Sequence, residues 1–182
     1  MTYYKPKGKA GAIREWVLSD GGGAVIGIAS SSWVMVDLNT RKLARIPPAM
    51  IELFSPYVVD GDVELPFRPD ATGAVPEVTE AAAAVAQHHS LRTTDVDMND
   101  HVTTVTYAAW VTSLPFAQFE GKRVEQIDIE FKNECRGDVP AVLALGAVEA
   151  GASNSVVCSL RGTESEPKPT EFARARIIFG DL

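Results

Sequence analysis

The fold of this chain is decided by one stretch, residues 95–114, which reads DVDMNDHVTTVTYAAWVTSL. Its first seven residues are dense in carboxylate, amide and imidazole groups. A helix-like run follows over 102–114 and stops at Pro115. Apolar side chains go most of the way round this run, which predicts a helix buried in the middle of a domain. Its threonines and valines keep a strand as a local alternative.

Strand-like segments flank this helix on both sides. His88 to Arg92 precedes it as a short strand. After it, Gln126 to Cys135 alternates apolar and polar side chains, the period of two that a half-buried strand requires. Three more strands are predicted, separated by turn-forming residues: Ala141 to Glu149, Ser155 to Arg161 and Phe172 to Phe179. One helix followed by an antiparallel meander that can wrap it indicates an α+β module.

Two strands are also predicted near the N-terminus. The apolar runs Ile13–Leu18 and Ala24–Val36 are separated by a glycine-rich turn. The pair Pro47-Pro48 then predicts an interruption of regular structure. Residues 51–86 are rich in acids and prolines, which predicts a linker with a short helix at its end. An extended excursion on the surface of a single domain is the alternative.

The composition is that of an ordinary globular protein. Of 182 residues, 46% are hydrophobic and 23% are charged, and the formal net charge is −7. This charge disfavours nucleic acid and anionic membranes as main partners. Residues 1–50 nevertheless hold seven basic and three acidic side chains, so an acidic partner could dock at that end. No apolar run reaches the roughly 18 residues of a membrane span. The two cysteines, Cys135 and Cys158, are too few for a disulfide framework.

Motifs for nucleotides and calcium fail at specific positions. The glycine-rich turn lacks the third glycine of a dinucleotide-binding motif, because Ile26 stands there. The pattern Asp95-x-Asp97-x-Asn99 begins like a calcium loop, but the position that requires glycine holds Asp100. Neither a nucleotide nor a calcium site is therefore expected.

The three histidines do not have the spacing of a zinc site. His88 and His89 are adjacent on a predicted strand, so their side chains point to opposite faces, and His101 stands far from both. We expect one of the adjacent pair in the core and the other on the surface. The sequence thus predicts neither a metal nor a cofactor.

The polar residues Asp97, Asn99 and His101 alternate at the entrance to the predicted helix. Asn99 or Asp100 is a natural N-cap there, and satisfying the amides at the helix start is one interpretation of this pattern. In the other, the same amides and the positive end of the helix dipole polarise a carbonyl oxygen, while Asn99 and His101 orient a substrate or a water molecule. Spacing alone leaves both interpretations open.

Two stretches resemble the acyl-acyl-carrier-protein thioesterases of plant plastids and bacteria. They are residues 95–107 followed by Trp110, and residues 131–135, FKNEC. Residues 14–16, REW, and 31–42, SSWVMVDLNTRK, also look like the N-terminal half of that family. The resemblance covers most of residues 8–182. It implies an α+β tandem hotdog fold, in which each unit is a long helix wrapped by an antiparallel sheet.

This chain departs from the family pattern in two places. The family usually has two asparagines where this chain has Thr103 and Thr104, and a hydroxyl replaces only part of the hydrogen bonding of an amide. The segment before Glu15 is too short for the first strand and long helix of a hotdog unit. We therefore expect an incomplete N-terminal hotdog over 1–60, a linker over 61–86 and a C-terminal hotdog over 87–182.

The resemblance implies a hydrolase of fatty acid biosynthesis, which cleaves the thioester of fatty acyl-acyl carrier protein and releases free fatty acid. Helix-end amides would bind the oxyanion, Asn99 and His101 would align carbonyl and water, and Asp97 with Glu134 would hold or deprotonate that water. Cys135, activated by His101, is the rival as a thiolate nucleophile. Cys135 shares the parity of the apolar strand positions, which favours a core role for it and Glu134 as the site residue.

The implied partner is acyl carrier protein bearing a fatty acyl chain, and a homodimer is one assembly that such a fold allows. The plastid stroma is the expected location for a plant or algal source, and the cytoplasm for a bacterial one. Because the N-terminal unit is expected to be incomplete, a non-catalytic or partner-requiring acyl-binding protein is an alternative function. A hotdog hydratase or dehydratase is a third.

Overall fold

A computed structural model describes residues 1–58, 73–163 and 169–181 of the chain. The chain divides into two compact units, Met1–Ala71 and Thr72–Leu182. Among the described residues, the first unit contains a three-stranded antiparallel sheet and the second a five-stranded one.

The N-terminal sheet is formed by β1 (Thr2–Lys7), β2 (Gly11–Ser19) and β3 (Val25–Val34), in that order. β2 and β3 are joined by a turn in which the Asp20 carboxylate accepts hydrogen bonds from two backbone N–H groups, at 2.8 and 2.9 Å. These two strands and their glycine-rich turn confirm the prediction for this region. β1 lies in a segment for which the sequence predicts no strand.

A short helix, α1 (Pro48–Phe54), follows in the same unit. The prediction that Pro47-Pro48 interrupts regular structure is therefore wrong at Pro48, where the helix begins. Proline lacks an amide hydrogen, but the first residue of a helix has no intrahelical acceptor for that hydrogen, so proline fits there. A 3-10 turn, Ser55–Tyr57, continues from the end of the helix.

The C-terminal sheet contains β4 (Val85–Ser90), β5 (Arg123–Phe131), β6 (Ala141–Val148), β7 (Ser155–Gly162) and β8 (Glu171–Gly180). Their order across the sheet is β4-β6-β7-β8-β5, so β4 and β5 are the edge strands. Along the chain, the helix α2 (Thr104–Thr112) lies between these two edge strands. One helix combined with an antiparallel meander confirms the predicted α+β module.

The helix α2 packs one of its faces onto the sheet and leaves the other open. Val105 is 77% exposed, and Ala109, one turn further on, is exposed as well. The prediction of a helix buried on most sides is therefore wrong for this face, because apolar residues at this spacing point away from the sheet. The buried residues of α2 are Thr106, Tyr107, Trp110 and Val111.

The other face of the sheet is covered in part by residues 73–83. Val75 and Val78 are buried there against β6 and β7. The Val78 N–H donates to Ser159 Oγ at 2.8 Å, and Arg161 Nη2 donates to the Val78 carbonyl at 2.6 Å. Part of the segment predicted as a linker thus packs against the C-terminal unit. The linker boundaries 61–86 stay a prediction, since residues 59–72 lie outside the described part of the chain.

The short helix predicted at the end of that segment is not formed. Residues 79–83 make turns, and the Ala84 N–H donates to the Gly146 carbonyl of β6 at 2.8 Å, immediately before β4 begins. The alanine-rich run has a high intrinsic helix propensity, but pairing with β6 competes with it and wins. The strand predicted at His88 to Arg92 is confirmed, but it begins earlier, at Val85, and ends earlier, at Ser90.

The strand predicted over Gln126 to Cys135 is confirmed as β5, but it ends at Phe131. The prediction of half-burial is wrong for Ile127 and Phe131, which are 37% and 54% exposed, whereas Ile129 packs against the core. β5 is an edge strand with one neighbour, β8, so its side chains lack cover from a second neighbouring strand.

Candidate active site

A tight turn over residues 97–101 carries three of the predicted site residues. The Asp97 carboxylate organises it. Oδ1 accepts from the backbone N–H of Asn99 at 2.8 Å and of His101 at 3.1 Å, and Oδ2 accepts from the Asn99 side-chain amide at 3.3 Å. The Asp97 N–H in turn donates to the His101 carbonyl at 2.8 Å. Asp97, Asn99 and His101 therefore form one hydrogen-bonded group, as is common where aspartate begins a turn.

The same hydrogen bonds set the charge of Asp97. Bonds from the backbone N–H groups of His101 and Asn99 hold the pKa of the Asp97 carboxyl below its ordinary value. The carboxylate is consequently ionised at neutral pH, and both of its oxygens are engaged by the turn.

Backbone pairing ties this turn to the segment that follows β5. His101 and Arg136 form an isolated antiparallel bridge, and the Val102 N–H donates to the Cys135 carbonyl at 2.9 Å. The side chains of His101 and Glu134 face each other, with 3.5 Å between His101 Nε2 and Glu134 Oε2. Both stay within reach of solvent, since the two side chains are 30% and 48% exposed. Residues from two separate sequence motifs thus meet at one place.

Cys135 lies in a different environment from its neighbour Glu134. The cysteine is 1% exposed, and burial raises the pKa of its thiol to about 11. Its side chain is hydrogen-bonded with that of Tyr107, a core residue of α2. Because β5 ends at Phe131, strand parity does not separate the two side chains, yet the irregular segment still buries one and exposes the other. A buried thiol of raised pKa has the environment of an inert cysteine.

The helix α2 starts after the turn and is capped by Thr103. Thr103 Oγ1 accepts from the backbone N–H of Thr106 at 3.2 Å. The prediction that Asn99 or Asp100 caps the helix is wrong, because both lie before the β-bridge at Val102. Thr103 therefore supplies the capping hydrogen bond of α2.

A small cavity adjoins Glu134. It has a volume of about 160 Å³, and its lining includes Glu134, Arg136 and Phe172. The exposed carboxylate of Glu134 therefore borders a recess that has room for a small group or for water molecules.

A larger cavity, of about 840 Å³, lies between β4 and α2. None of the five predicted site residues lines it. His89 stacks on Trp110 beside this cavity, with ring centroids 5.4 Å apart, and burial lowers the pKa of His89. His88 is exposed, which confirms the predicted surface histidine, whereas His89 is half-buried and not in the core as predicted. This cavity does not border Glu134, but it adjoins the start of α2, since Thr103, Val105 and Thr106 line it.

Neither a metal cluster nor a membrane helix occurs in the described ranges 1–58, 73–163 and 169–181. No group of three or more His, Cys, Asp or Glu side chains there is arranged to hold a metal ion. Within the same ranges, every helix is too short or too polar to cross a membrane.

One neighbour of this site was not foreseen from the sequence. The guanidinium of Arg136 donates from Nη2 to Asp100 Oδ2 at 2.9 Å, which adds an ion pair beside His101 and Glu134. The sequence offers only two hints of this pair: an acidic residue, Asp100, directly before His101, and a basic residue, Arg136, two positions after Glu134. Pairing between two distant turns cannot be read from spacing along the chain.

Two family descriptions match the chain. The Acyl-ACP thioesterase C-terminal domain matches residues 79–179, and the Acyl-ACP thioesterase N-terminal domain matches residues 1–54. Among curated relatives, the chain is 32% identical over 169 residues to oleoyl-acyl carrier protein thioesterase 2, chloroplastic, of Arabidopsis thaliana. That match covers 89% of this chain and 44% of the relative, so the chain spans less than half of that protein.

Solved structures give the same fold. A 12:0-ACP thioesterase from Umbellularia californica superposes with a TM-score of 0.83 at 23% identity, covering 100% of this chain and 66% of the other. An acyl-ACP thioesterase from Bacteroides thetaiotaomicron superposes with a TM-score of 0.72 at 20% identity, covering 98% and 67%. These likenesses confirm the predicted α+β hotdog fold.

Proposed function

Since the chain belongs to the acyl-ACP thioesterase family, we propose that it hydrolyses the thioester of fatty acyl-acyl carrier protein and releases free fatty acid. The observation that most supports this is the 3.5 Å approach of His101 to Glu134, inside the region that matches the C-terminal domain of the family. An imidazole beside an accessible carboxylate is suited to activating a water molecule.

In the proposed reaction, a water molecule attacks the thioester carbonyl carbon. Glu134 takes a proton from the water as the new C–O bond forms, and the carbonyl π electrons move onto the oxygen to give an oxyanion. The oxyanion then collapses and the C–S bond breaks. The proton held by Glu134 passes to the departing phosphopantetheine thiolate. A fatty acid and a free carrier thiol result, and no oxidant or cofactor is consumed.

His101 and Asn99 orient the reactants in this scheme. His101 faces the Glu134 carboxylate and holds it towards the water. Asn99 donates one amide proton to Asp97, which leaves its second amide proton and its carbonyl oxygen to align the substrate carbonyl and the water. We assign Asp97 a positioning role, because both of its oxygens accept hydrogen bonds from the turn.

The oxyanion is assigned to backbone amides at the start of α2. The Thr106 amide is taken by the Thr103 hydroxyl. The amides of Thr104 and Val105 precede it, and no carbonyl within a helix can accept from such positions. Preorganised amides at a positive helix end stabilise developing negative charge, which is what hydrolysis of a thioester requires.

The alternative nucleophile, Cys135, is less suited to the reaction. Its thiol is buried and has a raised pKa, so little thiolate exists at neutral pH. Its hydrogen bond with Tyr107 holds the side chain in the core. Direct attack by water activated by Glu134 requires neither exposure nor ionisation of this thiol.

The proposed partner is an acidic carrier protein that delivers the acyl chain. Seven basic and three acidic side chains occur in residues 1–50, against a net charge of −7 for the whole chain. Lys7 and Arg14 stand exposed on neighbouring strands of the N-terminal sheet. Opposite charge accelerates encounter with such a partner. We propose the plastid stroma as the location for a plant or algal source and the cytoplasm for a bacterial one.

Incubation of the purified 182-residue protein with acyl-acyl carrier protein tests the proposed function. Free fatty acid, measured by mass spectrometry, should appear in step with free carrier thiol. Acyl carrier protein that is bound but not cleaved would instead identify an acyl-binding protein. Dehydration of a 3-hydroxyacyl carrier protein without release would identify a hydratase or dehydratase. Whether the protein forms a homodimer is a separate question. Size-exclusion chromatography against standards of known mass answers it.

A further inference from the structure

We propose that the ion pair between Asp100 and Arg136 is a positioning device that holds His101 and Glu134 in their reactive arrangement. Arg136 Nη2 lies 2.9 Å from Asp100 Oδ2. Asp100 immediately precedes His101, and Arg136 follows Glu134 by two residues. This inference rests on the proposed hydrolysis at Glu134, and it adds two residues that act through His101 and Glu134.

The ion pair spans the same junction as the contact between His101 and Glu134. The backbones of His101 and Arg136 form the β-bridge at this junction, and the Gly137 N–H donates to the Asp100 carbonyl at 3.3 Å. Two short segments held by so few backbone bonds can slide or open. A charged hydrogen bond between their side chains fixes how the two segments are aligned, since this bond forms in only one register.

The backbone at Asp100 indicates that this position serves more than a turn. Its φ is 62°, in the left-handed region, which is uncommon for residues other than glycine and is tolerated best by asparagine, aspartate and glycine. Glycine or asparagine would satisfy the turn equally well. Only aspartate among the three also supplies a carboxylate that can pair with Arg136.

The residue after Arg136 makes room for this carboxylate. A Cβ atom at Gly137 would lie 2.6 Å from Asp100 Oδ1, closer than Cβ atoms approach other heavy atoms in proteins. The absence of a side chain at Gly137 therefore allows the Asp100 carboxylate to lie against the backbone, where Arg136 reaches it. The backbone conformation at Asp100 and the missing side chain at Gly137 are thus both compatible with the ion pair.

The expected effect of the pair is on rate and not on stability. Both side chains are about half exposed, and exposed ion pairs contribute little to the free energy of unfolding. Displacement of catalytic groups by about 1 Å, in contrast, can lower a rate on the order of 10²-fold. Loss of the pair should therefore lower kcat while leaving the melting temperature nearly unchanged.

A double-mutant cycle with Asp100→Asn and Arg136→Gln tests this inference. Each variant should lower kcat roughly 10- to 100-fold with KM changed by less than about threefold. The double variant should be no slower than the slower single variant, because the two residues act as one pair. Glu125→Gln, which breaks a comparably exposed ion pair with Arg123 in β5, is the control and should retain wild-type kcat. Arg136→Lys should recover part of the lost rate.

Independent, additive losses in the two single variants would overturn the inference, as would unchanged kcat in both. A second readout separates this inference from the proposed hydrolysis. In nuclear magnetic resonance spectra, Asp100→Asn and Arg136→Gln should each shift the ring resonances of His101, and Glu125→Gln should not. If the wild-type protein releases no fatty acid, the proposed function fails, and unshifted His101 resonances would then overturn the positioning role on their own.

Discussion

His101 Nε2 lies 3.5 Å from Glu134 Oε2, although the two residues belong to separate turns of the C-terminal unit. Their meeting depends on the bridge between His101 and Arg136 and on the bond from the Val102 N–H to the Cys135 carbonyl. This places an imidazole beside a solvent-accessible carboxylate that borders a small cavity, while the cysteine next to the carboxylate is buried.

Asn99→Ala should lower kcat on the order of 10²- to 10³-fold, because one positioned donor to the reacting carbonyl is lost. The measurement is the initial rate of fatty acid release at saturating acyl-acyl carrier protein. Met98→Ala is the matched control, since the side chain of Met98 is 97% exposed in the same turn. Equal rates for the two variants would remove Asn99 from the mechanism.

The Asp97 carboxylate should titrate below the ordinary pKa of aspartate. Its folded-state pKa is lowered, so its contribution to the turn is fully present above the unfolded value of 3.8 and is lost as the pH falls through the lower folded value. The backbone amide resonance of His101, which donates to this carboxylate, should therefore shift with a midpoint below 3.8. Asp97→Asn should abolish the transition. A midpoint at or above 3.8 would contradict the assigned hydrogen bonds.

Thr103→Ala should destabilise the C-terminal unit by about 1 kcal/mol, because the backbone N–H of Thr106 loses its capping acceptor. Thr103→Ser keeps the hydroxyl and should retain most of the stability. Urea unfolding followed by fluorescence compares the two variants with the wild type. An equal loss in both variants would show that packing of the Thr103 methyl group, and not the cap, is responsible.

Cys135 should resist alkylation in the folded protein. Its thiol is buried and its pKa is raised to about 11, so iodoacetamide at pH 8 should label it only as fast as the unit opens. Mass spectrometry of the labelled peptide follows the reaction, with the urea-unfolded chain as the fully reactive reference. Rapid labelling of the folded protein would point to an accessible thiolate.

In the C-terminal unit the existence and type of the elements could be predicted from the sequence, although their limits could not, whereas β1 and α1 of the N-terminal unit were not predicted. The run 102–114 predicts a helix correctly, but Val102 pairs in a β-bridge and Thr103 becomes the cap, so α2 begins at Thr104. The alanine run 81–84 has a high helix propensity. Its last residue nevertheless pairs with β6, and β4 begins at the next residue, Val85. In both places a contact between distant segments overrides a local preference.

The sequence indicates candidate site residues, but not how these residues are connected. Nothing along the sequence indicates that both carboxylate oxygens of Asp97 accept hydrogen bonds from its own turn. Nor does spacing reveal that Asp100 pairs with Arg136. The parity argument for Cys135 rests on a strand that ends before it, at Phe131. These features depend on how two turns meet in space.

The most direct test of the proposed mechanism compares fatty acid release by Glu134→Gln and Cys135→Ser under identical conditions. Glu134→Gln keeps the shape of the side chain but removes the base, so its kcat should fall at least on the order of 10²-fold. Cys135→Ser should keep most of the wild-type rate, and circular dichroism should show both variants folded. Full activity in Glu134→Gln together with loss of activity in folded Cys135→Ser would contradict water activation by Glu134 and support a thiolate nucleophile.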